Sequence, residues 1–177
     1  MSWIEVESKI RVNDPVFARR KIKEIASFVK KEKKIDIYYS SQVNGFPKKS
    51  LRIRRKREIV EVNFKQWISY KHGVHAKKEV EFKVSDLKGF FDLLKDFGFK
   101  EWLKKEKTTE LYKTKDGINI ELNNVKKLGW FIEIEILCEK KDIEKSRKRI
   151  IKLIDRLQLN KKDIEKSGYT KMLMKKR

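Results

Sequence analysis

The 177-residue sequence has a single cysteine, Cys138, with only two prolines and seven glycines. One cysteine cannot form a disulfide within the chain, which fits a reducing compartment. No apolar run reaches the roughly 20 residues of a membrane-spanning helix, and the amino terminus lacks the apolar core of a signal peptide. We therefore expect a cytoplasmic protein that has no membrane partner.

The sequence also lacks the common local motifs for phosphate and metal binding. It contains no Walker-type glycine loop and no zinc-ligand spacing. His72 and His75 are its two histidines, and they lie in a polar segment without further histidine or cysteine partners. We expect them to occupy a loop and to bind no metal. Since no low-complexity linker interrupts the chain and 39% of it is hydrophobic, we expect a single domain over residues 1–177.

Acidic residues are scarce relative to basic ones. Lysine and arginine outnumber aspartate and glutamate by 47 to 26, which gives a formal charge of +21. Such a charge indicates either a polyanionic partner or a lysine- and glutamate-rich surface of the kind found in thermophiles. The composition is compatible with both explanations together.

Alternating apolar and polar residues predict eight strands, and helical spacing predicts three or four helices. The helices are expected at residues 15–28, 86–97 and 143–157, with a short segment at 169–174. Asp14 and Ser85 are the expected caps of the first two, and the lysine cluster at 30–34 is expected to be a loop. The predicted strands cover residues 3–12, 35–41, 51–57, 59–67, 77–84, 104–113, 118–123 and 130–137. This pattern predicts an α+β fold whose strands are numerous enough to close into a barrel.

Three strands carry two glutamates one residue apart: Glu5 and Glu7, Glu79 and Glu81, and a third pair near the carboxyl end. Side chains alternate along a strand, so each pair shares one face, with apolar residues on the other. The third pair is Glu133 and Glu135. Basic residues occupy the same face of neighbouring strands. The sequence therefore predicts one apolar face that packs under helices and one face with charges of both signs.

The charged face of the sheet can lie in either of two environments. In an ordinary antiparallel sheet it faces water, whereas in a curled sheet it lines a lumen. Two carboxylates about 4 Å apart repel by roughly 4 kcal/mol at an effective dielectric constant near 20. Acids clustered in a lumen therefore require cations, which lysine, arginine and a divalent metal ion can supply. A single Glu-x-Glu-x-Lys pattern is near chance in this composition and does not decide between the two.

Taken in order along the chain, these patterns resemble the CYTH superfamily, the triphosphate tunnel metalloenzymes. The most specific piece is the segment from Leu128 to Glu135, which follows Val125 and reads Leu-Gly-Trp-Phe-Ile-Glu-Ile-Glu. The other pieces are Glu5-Val-Glu7-Ser-Lys9, Leu51-Arg52-Ile53-Arg54, Lys65, Lys77-x-Glu79-x-Glu81 and Lys107 before Tyr112.

The resemblance implies an eight-stranded antiparallel tunnel that holds a triphosphate and one or two divalent ions, Mg²⁺ or Mn²⁺. It implies metal-facing acids at Glu5, Glu7, Glu133 and Glu135, with Glu5, Glu7 and Lys9 as catalytic residues. Glu79, Glu81 and Asn123 would support the site. Phosphate oxygens would be held by Lys9, Arg52, Arg54, Lys65, Lys77 and Lys107.

Two positions depart from the family pattern. Asn123 stands where the family usually has aspartate, and Thr109 stands where it often has arginine. Asn123 offers an oxygen to a metal ion or water but adds no negative charge. Metal affinity or turnover should depend on this difference.

The resemblance implies a substrate such as ATP, thiamine triphosphate or tripolyphosphate. The compact length and the amino-terminal motif favour a class IV adenylyl cyclase-like activity over a triphosphatase. A third alternative is a binding module without turnover that takes polyphosphate or RNA. Nucleic acid is a less favoured partner, and the sequence leaves a homodimer open.

Overall fold

The computed structural model describes residues 2–42, 44–56 and 59–176, which form eight strands and four helices. The helices are α1 (Pro15–Lys23), α2 (Leu87–Asp96), α3 (Ile143–Arg156) and α4 (Tyr169–Met174). The strands are β1 (Ser2–Val12), β2 (Ala26–Ser40), β3 (Leu51–Lys56), β4 (Ile59–Lys71), β5 (Val74–Val84), β6 (Lys100–Thr114), β7 (Asn119–Val125) and β8 (Gly129–Cys138). The predicted end of the third strand, Arg57, lies outside the described residues.

The eight strands close into one barrel in the order β1-β5-β4-β3-β2-β6-β7-β8, and every neighbouring pair is antiparallel. The predicted α+β barrel is confirmed. Closure leaves no free strand edge, so a charged face of the sheet must point either to solvent or into the lumen.

The outward face of the barrel is the apolar one, and helices cover much of it. Val6, Ile10 and Ile134 are fully buried there in one cluster with Ile150 and Ile154 of α3. Because these residues alternate with the charged ones along each strand, their packing outside the barrel turns the charged side chains into the lumen.

A second outer cluster lies over β3 and β4, where Leu94 of α2 packs on Ile53 and Val62. The cover is incomplete on β5, whose Phe82 stays 48% exposed. The N-cap of α2 is Asp86, whose side chain accepts a hydrogen bond from the Gly89 amide, so the expected cap at Ser85 was one residue early.

The chain between α1 and β3 differs most from expectation. α1 ends at Lys23, five residues before the predicted end, and β2 runs from Ala26 to Ser40 through the lysine cluster that was expected to be a loop. The reason is long-range pairing, because β2 forms a ladder with β6 that starts at Ala26 opposite Thr114. Tertiary hydrogen bonds here override the local helical spacing.

The polar segment expected to be a loop around the histidines is a tight hairpin between β4 and β5. His72 has a positive φ of 50° at its tip, and His75 already belongs to β5. The His75 ring packs against the Tyr70 ring with centroids 4.6 Å apart and planes tilted by 46°, and its Nε2 lies 3.1 Å from the Lys166 carbonyl oxygen. Within the described residues, no helix combines the length and the apolar character needed to cross a membrane.

Candidate active site

The barrel encloses a tunnel of about 780 Å³ whose wall is rich in charged side chains. Every predicted site residue except Asn123 lines it. The wall holds nine acids and ten bases, for a formal net charge of +1: Glu5, Glu7, Glu32, Glu61, Glu79, Glu81, Glu121, Glu133 and Glu135 against Lys9, Lys30, Lys34, Lys48, Arg52, Arg54, Lys65, Lys77, Lys105 and Lys107. The charged face therefore lines a lumen, and charges of opposite sign nearly cancel there.

The amino-terminal glutamates each pair with a lysine from a neighbouring strand. Lys65 donates to Glu5, and Lys77 donates to Glu7. Burial would raise the pKa of Glu7, but Lys77 and Lys9 outweigh it and hold that pKa well below the usual range. Glu7 is therefore a fixed negative charge that orients the Lys77 ammonium in the tunnel.

A second set of pairs lies on β6, β7 and β8. The Lys107 ammonium donates to Glu121 at 2.8 Å and to Glu133 at 3.2 Å, and Lys9 lies 3.4 Å from the other oxygen of Glu133. Lys9 and Lys107 are only 5% and 6% exposed. Each buried ammonium thus points into the tunnel with acids as its present partners.

Two carboxylates in the tunnel lack full compensation. Glu135 forms no ion pair or hydrogen bond with any described residue, and the Oε1 atom of Glu5 is buried without a partner in the same part of the chain. Burial raises the pKa of Glu5 well above its usual value despite Lys65. Burial and neighbouring acids raise the pKa of Glu135 to about 7. A cation between these groups would relieve both penalties.

A buried aspartate that sequence reasoning missed organises the arginine side of the tunnel. Asp36 is fully buried and accepts two hydrogen bonds from Arg54, at 2.7 and 3.1 Å. It also forms an ion pair with Lys105 at 2.9 Å. Although burial alone would raise its pKa, Lys105 and Arg54 lower it far below the usual range. Arg54 is thus held rigidly by an acid, which limits its freedom to grip phosphate.

Arg52 is placed differently from Arg54. Its guanidinium lies 3.3 Å from both Glu61 and Glu81, and the Glu81 side chain is 43% exposed. Glu79 lies deeper, 3.6 Å from the Lys65 ammonium, and accepts a hydrogen bond from Asn63. Glu79 and Glu81 therefore contact the basic side chains of Lys65 and Arg52, and their supporting role stays a prediction.

The two departures from the family pattern are direct neighbours across β6 and β7. The Thr109 hydroxyl donates to Asn123 Oδ1 at 2.6 Å, and both side chains are fully buried. The Asn123 amide nitrogen donates to Glu133 at 2.8 Å and to Glu121 at 3.2 Å. Because carboxylates only accept, the amide nitrogen faces them, and the Asn123 oxygen that was expected to face a metal ion or water accepts a hydrogen bond from Thr109.

Tyr169, at the start of α4, closes part of the tunnel and was not predicted as a site residue. Its ring centroid lies 4.1 Å from the Lys9 ammonium and 5.4 and 5.9 Å from those of Lys105 and Lys107. Its hydroxyl is buried and unpartnered among the described residues. The short terminal segment was predicted, but a lone tyrosine carries no sequence signal of such placement.

Lys34 is a second tunnel residue that was not predicted, although the sequence pattern around it indicates its position. It forms a 2.7 Å ion pair with Glu121 inside the tunnel. Lys30, Glu32, Lys34 and Asp36 share one parity, which is the period of a strand. The density of lysines in that run concealed the alternation.

The sequence model of a family described as the CYTH domain matches residues 3–169. The chain belongs to the CYTH family. A protein of Methanocaldococcus jannaschii named as a putative adenylate cyclase is 26% identical over 176 residues, which is 96% of this chain and 98% of that protein.

This CYTH protein also resembles solved structures over nearly its whole length. The PH1819 protein from Pyrococcus horikoshii shares 32% identity with a TM-score of 0.79, covering 98% of this chain and 99% of that one. A Hippeastrum protein described as an adenylyl cyclase with dominant triphosphatase activity shares the fold at 14% identity and a TM-score of 0.66, with 97% and 94% covered.

CYTH membership implies triphosphate substrates and a divalent metal, and the tunnel wall fits both. Glu5 and Glu135 carry carboxylate oxygens, the hard ligands that Mg²⁺ and Mn²⁺ prefer, and could hold such an ion. No three acidic or histidine side chains of the described residues converge into a complete metal site. Several glutamates of the tunnel instead form ion pairs with lysines, as Glu5, Glu7 and Glu121 do with Lys65, Lys77 and Lys107. Phosphate oxygens and water would therefore complete the coordination of a bound ion.

Proposed function

We propose that this chain is a divalent-metal-dependent enzyme acting on ATP in its tunnel, with a class IV adenylyl cyclase-like reaction that yields cyclic AMP and pyrophosphate. The observation that supports it is that two incompletely compensated acids, Glu5 and Glu135, share one closed lumen with the buried ammonium groups of Lys9 and Lys107. The name of the M. jannaschii relative supports the choice of cyclase.

Exchange of partners explains how a nearly neutral tunnel takes up a highly charged ligand. Lys65, Lys77 and Lys107 now hold glutamates, and a triphosphate offers them stronger oxygen acceptors. The released carboxylates of Glu5, Glu7 and Glu133, together with Glu135, would then hold the metal ion. The ion supplies neutralisation of phosphate charge and polarisation of the phosphoryl group under attack. The contacts that Lys65, Lys77 and Lys107 would make with phosphate, and those that Glu5, Glu7 and Glu133 would make with the metal ion, replace existing ion pairs, whereas Glu135 has none to give up.

In the cyclase reaction, the ribose 3′-oxygen forms a bond to the α-phosphorus. The bond from that phosphorus to the oxygen bridging to the β-phosphorus breaks, pyrophosphate leaves and the hydroxyl proton is released. The protein's contribution is to hold the triphosphate extended and to stabilise the charge on its oxygens. Lys9 and Lys107 are suited to this because both are rigidly buried.

A triphosphatase is the second candidate. The same basic wall would bind the substrate, but water would attack the terminal phosphorus and orthophosphate would leave. The Hippeastrum protein shares this fold, and its described activity motivates the comparison. The two candidates differ in the nucleophile, ribose hydroxyl or water, and in the phosphorus that it attacks.

The test is incubation of purified protein with ATP, thiamine triphosphate or tripolyphosphate plus Mg²⁺ or Mn²⁺, followed by chromatography of the products. Cyclic AMP supports the cyclase, and orthophosphate supports the triphosphatase. We expect Glu135→Gln to lower turnover at least about 100-fold, because metal-based charge stabilisation is worth several kcal/mol. Isothermal titration with Mg²⁺ and a nonhydrolysable ATP analogue should show weaker metal binding.

Glu139→Gln is the matched control, since it removes one carboxylate that is 71% exposed outside the tunnel. Full activity is expected for this control. Equal activity in both variants would contradict the metal assignment. Metal-dependent binding without any product would instead identify the module without turnover.

A further inference from the structure

The excess positive charge of the chain lies outside the tunnel. The tunnel wall accounts for +1 of the formal +21, so +20 belongs to the rest of the chain. A tunnel ligand therefore does not explain the composition. The relevant question is whether the outer charge is spread evenly or gathered on one surface.

Part of this charge forms a continuous row on one face of α3. Lys145, Lys148, Lys152 and Arg156 are exposed and succeed one another by three or four residues, so they form a single stripe along the helix. At 1.5 Å per residue the stripe is about 16 Å long. None of the four forms an ion pair with a described residue, in contrast to the lysines of the tunnel.

The stripe continues into a groove of about 600 Å³ between α3, the end of α1 and the β6–β7 hairpin. Lys23 and Lys115 add two further exposed bases on its other walls. The groove contains two acids, of which Asp116 is held by Arg149 at 2.8 Å and Glu24 by Lys21 at 3.0 Å. The stripe and the groove together thus hold six bases that form no ion pair with a described residue, four of them on the groove wall, and the two acids of the groove already have partners.

The chemistry of this surface selects its partner. The apolar residues of α3, such as Ile150 and Ile154, are buried against the barrel, so the stripe presents no apolar wedge to a lipid bilayer. No aromatic residue lines the groove, which excludes base stacking as the mode of binding there. A regular row of cations without stacking groups fits the phosphate backbone of a duplex.

We infer that the exposed face of α3 and its adjoining groove, called here the outer basic surface, bind duplex nucleic acid through its phosphates without reading sequence. This inference goes beyond the tunnel reaction and is independent of it. RNA and DNA duplexes share the recognised chemistry. The two are therefore separate arms of one experiment.

The experiment measures fluorescence anisotropy of blunt 20-base-pair RNA and DNA duplexes with 5′-hydroxyl ends, from 50 to 200 mM KCl. The ends carry no triphosphate, so the tunnel has no ligand. Contact by six bases predicts a slope of log K against log salt of about −5. The variant Lys148→Gln/Lys152→Gln/Arg156→Gln should lose at least tenfold in affinity at 100 mM KCl and reduce the slope by about 2 to 3.

The matched control is Lys83→Gln/Lys88→Gln/Lys95→Gln, which removes the same charge from exposed positions on β5 and α2. We expect the control to keep most of the affinity and the slope. Equal losses in both variants, or no duplex binding by the wild type, would overturn the proposal. Circular dichroism of both variants should match the wild type, because all six side chains are exposed.

Discussion

The tunnel wall and the outer basic surface are built from the same lysines and arginines but obey opposite rules. In the tunnel, nearly every base faces a glutamate within ion-pair distance, as Lys107 does with Glu121 and Glu133. On the outer face of α3, the bases face solvent. Burial forces compensation inside, because an unpaired charge there loses its hydration, whereas water screens the charges outside. The same residue types therefore form compensated ion pairs in one region and uncompensated positive charge in the other.

Among the substitutions that test this comparison, we expect Asp36→Asn to cause the largest loss in the free energy of unfolding. Asp36→Asn leaves Arg54 and Lys105 without their buried acid, and removal of one partner from a buried ion pair costs about 3–5 kcal/mol. Urea unfolding at pH 7 measures the loss. Asp92→Asn, at an exposed position on α2, is the control and should stay within about 0.5 kcal/mol.

The pH dependence of the Asp36 effect has a defined sign. The lowered pKa of Asp36 means that its stabilisation is complete above the ordinary aspartate pKa and declines as pH falls toward the folded-state value. The gap between wild type and variant should therefore narrow below about pH 4. A gap that is constant down to pH 2 would contradict an ionised buried aspartate.

Replacement of Glu135 should have a smaller effect, and it should stabilise the fold where replacement of Asp36 destabilises it. Because the pKa of Glu135 is raised to about 7, its ionisation destabilises the fold progressively from the ordinary glutamate pKa upward. In metal-free protein at pH 8, Glu135→Gln should increase the free energy of unfolding by up to about 3 kcal/mol. The gain should vanish at pH 4. Thermal melts at the two pH values check this, and a loss of stability at pH 8 would refute it.

The smallest effect is expected outside the barrel. Arg149 and Asp116 form a 2.8 Å ion pair with exposed side chains, 36% and 63% accessible. A double-mutant cycle of Arg149→Gln and Asp116→Asn should give a coupling energy of about 0.2–1 kcal/mol that falls in 1 M KCl. A coupling above 2 kcal/mol would erase the distinction drawn between the two regions.

The sequence predicts the barrel well because its main signal is local. Strand parity alone places Glu5, Glu7, Glu133 and Glu135 on one face, and the tunnel confirms that face. Parity fails where composition hides it, as in β2, whose lysine run conceals an alternation that includes Lys34.

Local sequence patterns could not predict the contacts that depend on the pairing register of adjacent strands. Thr109 and Asn123 look like two separate departures from the family, yet they are hydrogen-bonded neighbours. Asp36 lies in a predicted strand, but its partner Arg54 is 18 residues away, on the adjacent strand. Tyr169 reaches the tunnel only because α4 packs its Met172 and Leu173 against the barrel.

The near-neutral tunnel wall has a consequence for the order of ligand uptake. A free triphosphate that captured the lysines would strand the glutamates, and a free metal ion that captured the glutamates would strand the lysines. Each ligand removes the obstacle to the other, so we expect the two to bind with positive cooperativity, equal in free energy whichever is added first. The tunnel would then bind the metal–triphosphate complex as one ligand and bind neither component alone at low concentration.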